Sequence, residues 1–255
     1  MLLAADIGNT NITLGVFDND TLAGTFRLES NKNMDSEDYE QLLSSMLEDF
    51  KITECAIASV VDELSHIFKT ACDNIFGIKS FVFNPDSEKG LKIALDNPSE
   101  VGADRIANAL AAKTLYPLPA IVIDIGTAAS FDIVSKNGEF LGGVIMPGLN
   151  LQFKSLGTNT SKLPEIDAGL SERAIGKSTK TAIMSGVVRG SACAIEGLIH
   201  QCELELGEKA TIIATGGHSG LVSQYMFRSF DYINPILTLQ GIRYLYKLNR
   251  LPVKY

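Results

Sequence analysis

The chain has 255 residues, 45% of them hydrophobic and 20% charged, enough apolar side chain for one large core or two small ones. Against 22 Lys and Arg stand 30 Asp and Glu, a net charge of −8 whose field repels phosphate backbones and anionic lipid heads, so neither nucleic acid nor membrane is an expected partner. The same field repels a free nucleotide, so a polyphosphate site here has to rest on local backbone N–H groups and a metal ion.

In chain order, the apolar run 2–5 stops at Asp6-Ile7-Gly8-Asn9-Thr10, and Ile12, Leu14, Val16 and Phe17 follow before the turn Asp18-Asn19-Asp20. This pattern predicts a strand, a tight glycine corner, a second strand and a hairpin. Helices are expected over 36–50 and 63–76, and strands over 54–61 and 78–83. Asn97-Pro98-Ser99-Glu100 is a helix-start signal, with Asn97 as N-cap and the helix running through Ala112 to end before Pro117. The most apolar later stretch is interrupted by Lys113 and two prolines, and Met1 to Ala5 carries no basic leader region, so a cytoplasmic chain without a membrane span is expected. Cys55, Cys72, Cys193 and Cys202 show neither a C-x-x-C pair nor zinc-like spacing to His66, His200 or His218, which points to a reduced interior.

The apolar run 120–123 stops at Asp124-Ile125-Gly126-Thr127-Ala128, and Phe131, Ile133 and Val134 lead to the turn Lys136-Asn137-Gly138. Adding 118 carries Asp6, Ile7 and Gly8 onto Asp124, Ile125 and Gly126, Val16 onto Val134, Asn19 onto Asn137 and Gly24 onto Gly142, with no gap. A single duplication of this length means two related domains, 1–117 and 118–255, with a ligand cleft expected between them. Beyond the second corner, 179–206 reads as a helix with a bend at Gly186 or Gly190, 211–214 as a strand ending in Thr215-Gly216-Gly217, and 238–247 as a closing helix. Alternating strands and helices give an α/β class.

Four constellations could carry chemistry. Each Asp-Ile-Gly corner offers a carboxylate for Mg²⁺ and a turn whose backbone can approach phosphate, although one such corner could equally close a hairpin. Thr215-Gly216-Gly217 would let a ribose or base come close, and His218 beside it reads as a solvent-facing loop residue. Gly102-Ala103-Asp104-Arg105 pairs a carboxylate that can act as general base with a guanidinium that can clamp a substrate carboxylate, the plainer reading being a helix-start Asp beside a solvated Arg.

Asp6 to Thr10, Asn97 to Arg105 (N-P-S-E-V-G-A-D-R), Asp124 to Ala128, Gly142 to Gly148 (G-G-V-I-M-P-G), Lys162-Leu163-Pro164 and Thr215 to Gly217 together resemble type III pantothenate kinases in order and separation over essentially the whole chain. The resemblance implies an actin/hexokinase-like fold of two ribonuclease H-like domains with ATP in the cleft. It also implies a homodimer, Mg²⁺ with the nucleotide, and a monovalent cation, K⁺ or NH₄⁺. By motif, Asp6, Ile7, Gly8, Asn9, Thr10, Asn11, Ile12 and Thr13 would line the ATP phosphates, with Asp6 reaching Mg²⁺ through water. Thr127 would be another ATP contact, and Asp124 would hold the monovalent cation. Gly102, Ala103, Asp104, Arg105 and Thr179 would contact pantothenate, with Asp104 as the catalytic base, a role an Asp of ordinary pKa can serve. A regulatory binding protein of the same fold, or a kinase for another small molecule, is the competing reading. Two departures from the family pattern stand out: Ala129 and Ser130 where two threonines are usual, expected to remove a hydroxyl beside the nucleotide, and Asn159-Thr160-Ser161 where R-T-A is usual, expected to remove a positive charge.

Overall fold

Residues 1–84, 87, 89–160 and 162–250 are described by a computed structural model. Ser161, in the second departure, lies outside them. The chain divides into two units, residues 1–92, 96–114 and 236 onward in the first, and 93–95 and 115–235 in the second.

The first unit is a five-stranded sheet in the order β3-β2-β1-β4-β5. Strands β1 (Leu2–Ile7), β2 (Asn11–Asp18) and β3 (Thr21–Glu29) form an antiparallel meander, and α1 (Ser36–Met46), β4 (Glu54–Ser59), α2 (Asp62–Phe76) and β5 (Phe81–Val82) add parallel strands beside β1. Leu3, Ala5 and Ile7 join Tyr39 and Leu43 of α1 and Leu64 and Phe68 of α2 in one buried cluster. Because side chains alternate along a strand, Leu2, Ala4 and Asp6 take the other face.

The helix expected from Asn97 comes in two pieces. Pro98–Glu100 forms one 3₁₀ turn, in which Asn97 bonds the Glu100 side chain at 2.6 Å rather than capping the backbone. Val101 is extended, and the α-helix proper, α3 (Ala103–Leu115), starts five residues later than the expected cap would place it, at Gly102-Ala103.

The second unit repeats the topology. Strands β6 (Ala120–Ile125), β7 (Ala128–Val134) and β8 (Phe140–Pro147) form the meander; α4 (Leu149–Thr158), α5 (Thr179–Met184), a π-helical turn (Ser185–Arg189) and α6 (Gly190–Leu206) lead to β9 (Thr211–Thr215), α7 (Ser219–Ser223) and β10 (Tyr232–Ile233). The sheet order β10-β9-β6-β7-β8 is the first order read from the other edge, with β9 parallel to β6 as β4 is to β1. The bend expected at Gly186 or Gly190 is that π turn. The segment Thr179–Leu206 is long and apolar enough to cross a membrane by composition alone, but Ala192, Ile195 and Ile199 are core residues packed with Ile121, Ile123 and Ile125, so one face of it is buried in this unit's core.

The gap-free repeat needs one correction. Strand β6 superimposes on β1 at an offset of 118, yet Ile7 pairs with Ile12 while Ile125 pairs with Ala129, so the second corner is one residue shorter. The partner of Gly24 is Val16 and that of Gly142 is Ile133, each beside a register shift, so Ile133 rather than Val134 is the counterpart of Val16.

The last helix, α8 (Leu237–Arg250), belongs to the first unit, where a boundary at 117/118 would not place it. Gly241 lies so close to the Ala107 backbone of α3 that no Cβ would fit, and Thr238 donates to the buried Asn108 side chain at 2.8 Å. The glycine costs α8 roughly 1 kcal/mol of helix propensity but permits this backbone contact, which fixes α3 and the residues at its start.

Candidate active site

In the first unit the Asp6 corner is closed from within. Gly8 N–H donates to Asn11 O at 3.0 Å, Ser30 Oγ donates to Gly8 O at 2.6 Å, and Ser30 N–H donates to Thr10 O at 3.0 Å. The glycine N–H is thus committed to the turn, and the surface presented to a ligand is that of Asn9 and Thr10, both exposed. The side chains of Ile7 and Ile12 are in the core cluster, so of the expected phosphate-lining set these two can offer backbone only. Nothing in the sequence singled out Ser30, which acts across the sheet from 22 residues away.

The start of α3 lies beside this corner in the same unit. Val60 N–H donates to Ile7 O at 3.1 Å, and a Cβ on Gly102 would stand 3.3 Å from Val60 Cγ1 and 2.5 Å from Asp104 Oδ1. Glycine at 102 therefore lets the Asp104 carboxylate fold back over the helix start, where its Oδ1 also accepts from Arg105 N–H at 2.8 Å. Burial pushes the Asp104 carboxyl above its ordinary value, against the lowering effects of that N–H and of the Arg105 charge. Ala103 is buried, so it too can offer only backbone, while Arg105 keeps part of its surface accessible.

In the second unit the corner is braced by other backbone. Gly126 N–H donates to Ala128 O at 3.0 Å, Gly148 N–H to Thr127 O at 3.1 Å, and His218 N–H to Ile125 O at 3.1 Å. Gly216, at φ +84, sits where a Cβ would be 2.5 Å from Asp124 Oδ1 and 2.6 Å from Ile125 N, and a Cβ on Gly148 would overlap the carbonyl oxygen of Gly126. Thr215-Gly216-Gly217 thus packs on the Asp124 corner, and His218 is half-buried against it rather than solvent-facing. Thr127 is exposed; Ala129 is buried, so the hydroxyl absent there would have pointed inward, away from Ala128 and Ser130. Asn159 is the exposed C-cap of α4.

Thr179 opens α5, whose N-cap Ser178 and Thr181 form a reciprocal capping pair. It lines an open groove of about 1260 Å³ with Pro147, Leu151, Gln152, Gly176 and Ile183. Among the described residues, no three His, Cys, Asp or Glu side chains cluster to hold a metal. Single carboxylates at Asp6 and Asp124 suit ions that keep water or ligand phosphate in their shells rather than all-protein cages.

A family model described as type III pantothenate kinase matches residues 2–201. The chain belongs to the type III pantothenate kinase family. Curated type III pantothenate kinases similar to it include one from Dehalococcoides mccartyi strain CBDB1, 38% identical over 98% of this chain and 97% of that protein. Others are from Moorella thermoacetica, 37% identical over 98% and 100%, and Agathobacter rectalis, 38% identical over the whole of both chains. Among solved structures, a Campylobacter jejuni protein assigned to the Baf family of transcriptional activators aligns with TM-score 0.61 at 23% identity over 96% of this chain and 97% of that one. An inorganic polyphosphate/ATP-glucomannokinase from Arthrobacter sp. strain KM aligns with TM-score 0.52 at 13% identity over 96% and 98%. These likenesses carry the fold, which is actin/hexokinase-like with two sheets of ribonuclease H-like order. For a type III pantothenate kinase, the residues quoted as family motifs fall into two sets, 6–13 with 102–105 in the first unit and 124–127 with 148, 179 and 215–217 in the second.

Proposed function

We propose that this chain transfers the γ-phosphoryl group of ATP to the primary hydroxyl of pantothenate, giving 4'-phosphopantothenate, the first step of coenzyme A biosynthesis. Family membership supports the reaction. The observation that carries the residue assignment is Asp104, a carboxylate raised by burial at the start of α3 and next to the Asp6 corner in one unit.

In this reading the Asp6 corner lines the ATP phosphates, with Asn9 and Thr10 as its exposed polar contacts, and Thr127 is a further ATP contact. Asp104 accepts the proton of the pantothenate hydroxyl, and Arg105 pairs with the substrate carboxylate. Phosphoryl transfer proceeds through a loose transition state, so the proton leaves late and positioning supplies most of the rate. Asp6 would hold Mg²⁺ through water, and Asp124 the monovalent cation, K⁺ or NH₄⁺; bound with ATP, the ions neutralise phosphate charge. The groove beside Thr179, with Leu151 exposed in its lining, suits cover by a second copy, and a cytoplasmic homodimer completes the proposal.

ADP release measured with and without pantothenate tests the reaction. Release that depends on pantothenate and vanishes with other small alcohols is the expected result. Release indifferent to pantothenate removes the substrate assignment, and no release with any acceptor leaves a binding protein.

A further inference from the structure

The stretch 162–178 forms neither helix nor strand, yet its end carries Gly176, Lys177 and Ser178 into the groove that Thr179 lines. A segment without a ladder of its own needs side chains to fix it. For 171–174 they come from the π-helical turn and from Tyr225. In the π-helical turn, buried Ser185 donates through Oγ to Ala174 O at 2.6 Å. Arg189 donates through Nη2 to Ser171 O at 2.7 Å and through Nε to Ser171 Oγ at 3.2 Å. Its guanidinium stacks 4.6 Å from the Tyr225 ring centroid, and the Tyr225 hydroxyl accepts from Ser171 N–H at 2.7 Å. A π turn is often a feature of functional sites, and here Ser185 and Arg189, four apart, grip one strap at two points.

We infer that Arg189, backed by Tyr225, is a positioning residue for substrate: it clasps the 171–174 strap and so sets the Gly176–Thr179 turn against α5. Gly176 transmits the constraint, because it lies so close to Ala182 and Thr181 that no Cβ would fit, and any shift of the strap moves the turn with it. The planar guanidinium fork suits the task, since it bonds the carbonyl and the hydroxyl of one residue while its face stays on the aromatic ring. The inference rests on the proposed substrate role of Thr179.

The test is steady-state kinetics on the full chain for Arg189→Ala, Arg189→Lys and Tyr225→Phe, with hydrogen exchange read over peptides spanning 165–178. Arg189→Ala is expected to raise the KM for pantothenate about tenfold, with the KM for ATP within about twofold. Arg189→Lys should recover part of the loss and Tyr225→Phe should show a smaller rise, while exchange rises in the strap alone. Both KM values moving together, or neither moving while the strap loosens, would overturn the inference. Thr179→Ala separates this from the underlying reading: if it raises the pantothenate KM when Arg189→Ala does not, only the clasp fails, and if neither raises it, the substrate role of Thr179 fails as well. Should Arg189→Ala not fold, Tyr225→Phe, which keeps the ring and loses only the acceptor, decides on the same criteria.

Discussion

The two Asp-Ile-Gly corners begin from the same sequence and the same strand order, and the fold treats them differently. The first is one residue longer, presents exposed Asn9 and Thr10, and has the buried-edge carboxylate of Asp104 next to it. The second is shorter and pressed on two sides by glycine backbone at 148 and 216. Duplication therefore supplied two frames that differ: the first turns exposed Asn9 and Thr10 outward, and the second is packed by glycine backbone around Asp124.

The sharpest way to break that contrast is Asp104→Asn. Turnover should fall about 10²- to 10⁴-fold, while the melting temperature stays level or rises. The sign follows from burial: a carboxyl raised in the folded state contributes stability below its ordinary value and loses it as the pH climbs through the raised one, so at neutral pH an uncharged amide removes a cost. For the same reason the acidic limb of kcat/KM in the parent should lie above the ordinary aspartate range, and a limb at ordinary aspartate values would contradict the assignment. Next in size, Gly148→Ala should cost about 3 kcal/mol in urea unfolding, because its Cβ would meet carbonyl oxygens of the second corner, whereas Gly8→Ala, whose Cβ would stand 3.2 Å from Asn11 O, should cost about 1 kcal/mol. Equal costs would mean that the two corners are packed alike. Ala129→Thr, which restores the usual hydroxyl, should lose about 1–2 kcal/mol by overpacking a buried site and leave the KM for ATP unchanged. Asn9→Ala is the mildest: stability should change by less than about 0.5 kcal/mol, with the KM for ATP rising a few-fold.

Much of this was legible in residues alone. The strand-corner-strand sentence, written twice, announced both meanders, and the apolar periodicity placed α2, α8 and the long 179–206 helix to within a few residues. Local signals failed where a distant partner decides. Asn97-Pro98 looks like a cap, but Gly102, folded under Asp104 and against Val60, is where α3 begins. Closing helix α8 joins the first unit because Gly241 and Thr238 meet α3, a contact 130 residues apart in sequence between Asn108 and Thr238 that no window can see. The one-residue difference between the corners escaped because offsets of opposite sense, a shorter corner and a longer hairpin turn, restore the register by Gly142. The hydroxyl missing at Ala129 reads from sequence as a nucleotide contact, and only the strand pairing with Ile125 and Met146 reveals that side chain turned inward.

The proposal that the Asp6 corner and Asp104 serve one reaction is tested most directly by a crystal structure with a non-hydrolysable ATP analogue and pantothenate. The expected map has the triphosphate against the Asp6 corner and the pantothenate hydroxyl about 2.6–3.2 Å from the Asp104 carboxylate. A triphosphate bound away from the Asp6 corner, or pantothenate bound with its hydroxyl out of reach of Asp104, would contradict it.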